Sequence, residues 1–233
     1  MTILCIMGVN KLEAQSMGTQ NEILPEVDAY YRINNRFRLY GLISGIRANS
    51  ENTDGTAGVY VDYFARLWER DKKNQTEMND SVRGYNWWLR GGYSYSQAPS
   101  YEKKKDVNIF ETELNNIFRL PCKTVMIFRN RIDWRWVNGD FLPVYRLRLK
   151  FVRNLKTEYL NFNVYTWGEY FFYLNNYAQD KFRLCFGTVF KVLKSLSFEV
   201  YYRYQFPNGI LVPAVNAIGI QFNLYFSSKH YSS

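Results

Sequence analysis

The sequence predicts an all-β protein, a transmembrane up-and-down antiparallel β-barrel of about twelve strands, with ten as the fallback, and three observations carry this. Polar-against-apolar alternation with period two recurs from Leu24 to Phe226, as in strands whose two faces meet different surroundings. The alternating segments exceed the roughly 5–6 residues of ordinary soluble strands and match the roughly 9–11 that a tilted strand needs to cross a bilayer. Mid-strand charge keeps largely to one face, as it must where a lipid-facing Arg or Lys at the midplane costs about 2–4 kcal/mol.

Phe128 to Arg153 shows the pattern most clearly. Arg129, Arg131, Asp133 and Arg135 fall on one side of an extended chain and Phe128, Ile132, Trp134 and Trp136 on the other. After Asn138-Gly139-Asp140, a strong hairpin signal, Arg146, Arg148 and Lys150 oppose Tyr145, Leu147, Leu149 and Phe151. Alternation alone also fits a soluble sandwich with its arginines in water. Strand length, turn spacing and the mixture of Arg with Glu and Asp on one face favour a barrel with a charged lumen.

Residues 1–15 hold a short apolar run, followed by Ala14-Gln15-Ser16, and read as a signal peptide cleaved near Gln15. They lack the basic segment that normally opens one, so the start reads as truncated, and a buried N-terminal strand is the competing reading. Residues 16–233 then form a single barrel domain. Leu24 to Ile33 sets Glu26, Asp28, Tyr30 and Arg32 against Val27, Ala29 and Tyr31, and Asn34-Asn35 turns the chain into a second strand, Arg36 to Arg47. Ser50 to Thr56 reads as a polar loop, Ala57 to Glu69 as a strand with Asp62 on its ionic face, and Arg70 to Ser81 as a long polar connection. Val82 to Ser96 opposes Asn86, Arg90 and Ser94 to Tyr85, Trp87, Leu89 and Tyr93, with Gly91-Gly92 allowing close packing. Val107 to Arg119 carries Glu111, Glu113 and Asn115 on one face. Beyond the central hairpin, a turn at Asn154 to Lys156 leads to Glu158–Tyr173 with Glu169, and then to Lys181–Val192 with Arg183 and Cys185. Leu196–Phe206 follows with Glu199 and Arg203, and Asn216–Phe226 ends the series.

The balance of Lys+Arg 30 against Asp+Glu 21 gives +9, but the excess alternates within strands rather than forming a basic patch, which argues against nucleic acid. Mean hydropathy is −0.37 and aromatic content 18%; averaging over two faces explains the first, and aromatic girdles account for the second. Three cysteines and one histidine give no metal-ligand spacing, so neither a metal nor a cofactor is expected. The bacterial rule of even strand number conflicts with a direct count of about eleven, so either Ser16 to Ile23 pairs as an extra strand or Arg70 to Ser81 hides a break.

The segments LPEVDAYYRINNRFRLYG, RNRIDWRWVNGDF with YRLRLKF, and VNAIGIQFNLYF resemble a family of uncharacterised outer-membrane β-barrels of Gram-negative, Bacteroidota-like bacteria. The resemblance implies an outer-membrane location, lipid and lipopolysaccharide around the barrel, and insertion by the barrel-assembly machinery, whose aromatic-ended signal Phe226 resembles.

The function expected is non-enzymatic: a porin-like narrow pore for small, anionic solutes, or a structural membrane protein. The lumen would be lined by Arg129, Arg131, Asp133, Arg135, Arg146, Arg148, Lys150, Arg183 and Arg203 with Glu111, Glu113, Glu169 and Glu199 as partners. Either a basic excess sets an anion-attracting field in a wet lumen, or the groups pair across it and close it. Two alternatives are weaker. A lipid hydrolase or acyltransferase needs an activated nucleophile, and the single histidine, His230, lies beyond the last strand. A soluble basic β-protein binding nucleic acid would not need so many long strands with one ionic and one aromatic face.

Overall fold

The computed structural model describes residues 19–48, 51–65, 86–98, 105–120, 123–156, 161–175, 180–208 and 212–227. The signal-peptide reading, Arg70 to Ser81, Cys5, Cys122 and His230 lie outside them. The regular structure described is all strand: β1 (Gln20–Arg32), β2 (Phe37–Ala48), β3 (Glu51–Phe64), β4 (Trp87–Ala98), β5 (Lys105–Leu120), β6 (Thr124–Val137), β7 (Asp140–Phe141), β8 (Val144–Lys156), β9 (Asn161–Tyr173), β10 (Lys181–Leu193), β11 (Leu196–Gln205) and β12 (Val215–Ser227).

Successive strands pair antiparallel, and β1 pairs with β12 to close the cylinder. Eleven strands are staves. The twelfth, the two-residue β7, continues the β6 register that β8 resumes at Asp133↔Val144. Pro143, which has no N–H to donate, interrupts that one long strand. The twelve strands expected are thus eleven staves and β7, and of Ser16 to Ile23 the described residues 19–23 supply no separate strand, because β1 itself begins at Gln20. In a meander of eleven staves the first and last run the same way, so the closing seam is parallel, in register from Gln20↔Val215 to Arg32↔Ser227.

Two turn assignments also change. Ser50 to Thr56 is not a loop, since β3 starts at Glu51 and pairs with β2 through Gly45↔Gly55 and Ser44↔Thr56. Polar side chains are at home on the lumen face, so their density there does not mark a break. Likewise β8 continues through Asn154 to Lys156, and Asn154 Nδ2 donates to Asn161 and Asn163 on β9 at 2.8 and 2.9 Å.

The turns at 33–36 and 194–195 open at one mouth, where β3 and β4, β5 and β6, and β8 and β9 also follow one another along the chain. Asn34 Oδ1 fixes the first by accepting the N–H groups of Arg36 and Phe37. At the opposite mouth, where β2, β4, β6, β9 and β11 end, Asn138 and Gly139 take left-handed conformations (φ 52° and 96°), as a two-residue hairpin turn requires. The outward face is apolar: Ile43, Val59, Phe186 and Ile218 are 68%, 67%, 58% and 54% exposed. Its charged residues, such as Arg47, Asp106 and Arg153, lie near strand ends. Outward aromatics gather near the rims, including Trp134, Trp136 and Phe141 at one mouth and Phe37, Tyr63 and Trp87 at the other.

Candidate functional site

Period two sends every second side chain inward, so the site is the lumen wall, and it is built of ion pairs that run around the wall rather than across it. On β5, β6, β8 and β9 the chain of contacts is continuous. Arg131 meets Glu111 at 2.8 Å and Asp133 at 2.5 Å, Asp133 meets Arg146 at 3.3 Å, and Arg146 meets Glu169 at 3.0 Å. Glu169, 1% exposed, also accepts hydrogen bonds from Arg129 and Arg148, and Arg129 reaches Glu113 at 3.5 Å. One carboxylate thus serves three guanidinium groups, with Glu113 and Asp133 holding two of them from their other side.

A second cluster spans β2, β3 and β4. Asp62, fully buried, accepts Arg38 Nε at 2.8 Å and Arg90 Nε at 2.6 Å. Beside it four tyrosines stack in a row across the parallel seam: Tyr225 on Tyr30, Tyr30 on Tyr40 and Tyr40 on Tyr60, with centroids 5.2, 4.9 and 5.0 Å apart. Arg90 lies 4.1 Å over the Tyr40 ring, a favourable cation–π position. Asp28 accepts the hydroxyls of Tyr30 and Tyr40 and the amide of Gln221.

Three inward tyrosines lie flat over glycines directly opposite them on the next stave: Tyr60 over Gly92, Tyr165 over Gly187 and Tyr201 over Gly219. A Cβ at any of these glycines would fall within 2.5 Å of the ring, so only glycine leaves the ring its place. The first two hydroxyls continue to carboxylates one stave further, Tyr60 to Glu111 at 3.0 Å and Tyr165 to Glu199.

Because these contacts hug the wall, a cavity of about 430 Å³ remains inside, lined by residues of all eleven staves. Its charged lining comprises nine Arg and Lys, among them Lys150, Arg183 and Arg203, and six Asp and Glu, among them Glu26 and Glu199. All the residues expected in the lumen face inward. Asp133 and Arg135 stand apart from the cavity lining, Asp133 because Arg131 and Arg146 cover it. The tyrosine row, the Arg38–Asp62–Arg90 cluster and Lys181 were not expected as site features. Asp62 and Arg90 carried a signal in their alternation. The tyrosines carried none, since an amphipathic ring suits either face of a barrel strand.

Comparison with known proteins gives a family and a distant fold likeness. A family described as "Protein of unknown function (DUF2490)" matches residues 82–210, more than half of the chain. No curated protein matches. Among solved structures, the crystal structure of the β domain of the Bordetella autotransporter BrkA is similar at 14% identity and a TM-score of 0.42, over 81% of each chain.

Proposed function

The chain belongs to the DUF2490 family of proteins of unknown function, and we propose for it the role of a non-enzymatic outer-membrane barrel whose lumen passes small anionic solutes. The observation that carries this reading is the cavity bounded by every stave, its walls lined by nine basic and six acidic side chains. Charges paired along the wall leave room on the axis, and the uncancelled positive excess raises the local concentration of anions in a narrow, low-dielectric passage. The apolar outer face supports the membrane location: exposed Ile, Val and Phe side chains are stable in lipid and costly in water. Lipid and lipopolysaccharide then surround the barrel, and the assembly machinery inserts it.

Single-channel conductance of the refolded chain in a planar bilayer tests the passage. A steady anion-selective current is expected. Among the described residues Lys150 has no carboxylate within ion-pair distance, and it sits 4.0 Å over the Tyr165 ring, so Lys150→Glu should shift the reversal potential toward cations without breaking an ion pair. Silence from inserted, folded protein would mean a closed barrel and sink the proposal.

Orientation follows from the turns, because short turns face the periplasm in barrels of this kind. In intact cells a membrane-impermeant maleimide should label Asp140→Cys, at the opposite mouth, and leave Lys194→Cys unlabelled. Equal labelling of both, or neither, would contradict the outer-membrane placement.

A further inference from the structure

We propose that the lumen holds an oxyanion-binding site at the mouth opposite the tight turns, formed by Arg135, Lys181 and Arg183, for a carboxylate or phosphate monoester. None of the three has a carboxylate partner among the described residues, and unlike Lys150, which shares that lack, Lys181 and Arg183 face one ring together. Arg183 donates through Nε to neutral Gln205 at 2.9 Å. Lys181 lies 5.2 and 5.4 Å over the rings of Phe171 and Tyr173. Arg135 has no hydrogen-bond partner for its buried Nε.

The neighbouring acids are already engaged. Glu169 holds Arg129, Arg146 and Arg148; Asp133 holds Arg131 and Arg146; Glu22 holds Arg203. Asp180 Oδ1 accepts the Tyr173 N–H at 2.7 Å. Meanwhile Arg183, Arg135, Arg146 and Arg203 all lie within electrostatic range of Lys181. The Phe171 ring, only 5% exposed, is faced by Arg146, Lys181 and Arg183 at once. A ring quadrupole does not neutralise three cations, and like charges held together away from bulk water call for an anion between them. Guanidinium forks with an ammonium suit the planar or tetrahedral oxygens of carboxylate and phosphate. The site is luminal, so its occupant is a free solute rather than a lipid headgroup.

The site deepens the anion passage and rests on that reading only for delivery of the solute, so binding and current are measured separately. Inorganic phosphate titrated calorimetrically into the full chain refolded in detergent should bind saturably and raise the urea midpoint. The double substitution Lys181→Gln with Arg183→Gln should weaken binding at least about tenfold, whereas Lys150→Gln should leave it within about twofold. Removing mutual repulsion should also raise the midpoint of the double variant in the absence of phosphate. No saturable binding, or equal weakening by Lys150→Gln, would overturn the site. Binding without current would uphold the site and overturn the passage; current without binding would do the reverse.

Discussion

Glu169→Gln is expected to lower the stability of the folded barrel by about 3–5 kcal/mol, the usual cost of removing one partner from a buried ion pair. The substitution keeps the volume and takes away the only charge that three arginines share. Arg129 retains Glu113 and Arg146 retains Asp133. Among the described residues Arg148 retains only the Trp167 ring, 4.1 Å away. A glutamine amide also turns an N–H₂ donor toward guanidinium groups that can only donate. Urea titration of protein refolded into vesicles measures the loss, with Glu199→Gln as the control: Glu199 accepts the Tyr165 hydroxyl, a contact worth about 1 kcal/mol. Adding Arg148→Gln to Glu169→Gln should recover part of the loss, since the cation stranded by the first change is then gone. A loss below about 1 kcal/mol would show that lumen water screens the network like a surface ion pair, leaving its arginines free to set the field for passing anions.

That network was within reach of the sequence because its members announce themselves by parity. Arg129, Arg131, Asp133, Arg146, Arg148 and Glu169 alternate with residues that are apolar or aromatic apart from Asn130 and Gly168, so their common face followed from the strand period. Who pairs with whom did not follow. Glu169 meets Arg129 across the intervening stave β8, a contact set by the registers that put Arg129, Arg148 and Glu169 on one row. Closure was hidden for the same reason. Period two reports faces but not partners, so nothing local in Leu24–Arg32 or Ile218–Phe226 says that these segments lie side by side and parallel. Ser50 to Thr56 misled because polarity has two meanings in a barrel: in water it marks a loop, on the lumen wall it marks a strand. Lys181 carried the right alternation with Arg183 and Cys185, but only the structure shows that its nearest acids are occupied.

Gly92→Ala is expected to be the most damaging of the glycine substitutions, and the contrast with Gly219→Ala tests how the tyrosines are held. An added Cβ at Gly219 would meet Tyr201 Cζ, Cε1 and Cε2 at 1.9, 2.2 and 2.3 Å. All three atoms belong to the far end of one side chain, which can swing into the cavity it already borders. At Gly92 the added Cβ meets Tyr60 Cδ1 at 2.3 Å and also the Val59 carbonyl oxygen at 2.5 Å. That oxygen belongs to the backbone of β3, and moving it disturbs the β3–β4 ladder. Overpacking of this kind costs about 1–3 kcal/mol; Gly219→Ala belongs near the lower end and Gly92→Ala at or above the upper. Gly55→Ala is the reference, with nothing within 4 Å of its Cβ, and should be neutral or gain up to about 1 kcal/mol from reduced chain entropy. The second substitution separates the causes. Tyr201→Ala should restore Gly219→Ala to the level of Tyr201→Ala alone, while Tyr60→Ala should leave much of the Gly92→Ala loss in place, because the carbonyl clash remains. In the bilayer, Gly219→Ala should also reduce current by pushing a phenol ring into the passage. Full rescue of Gly92→Ala by Tyr60→Ala would show that β3 and β4 yield together and that the ring alone sets the close approach.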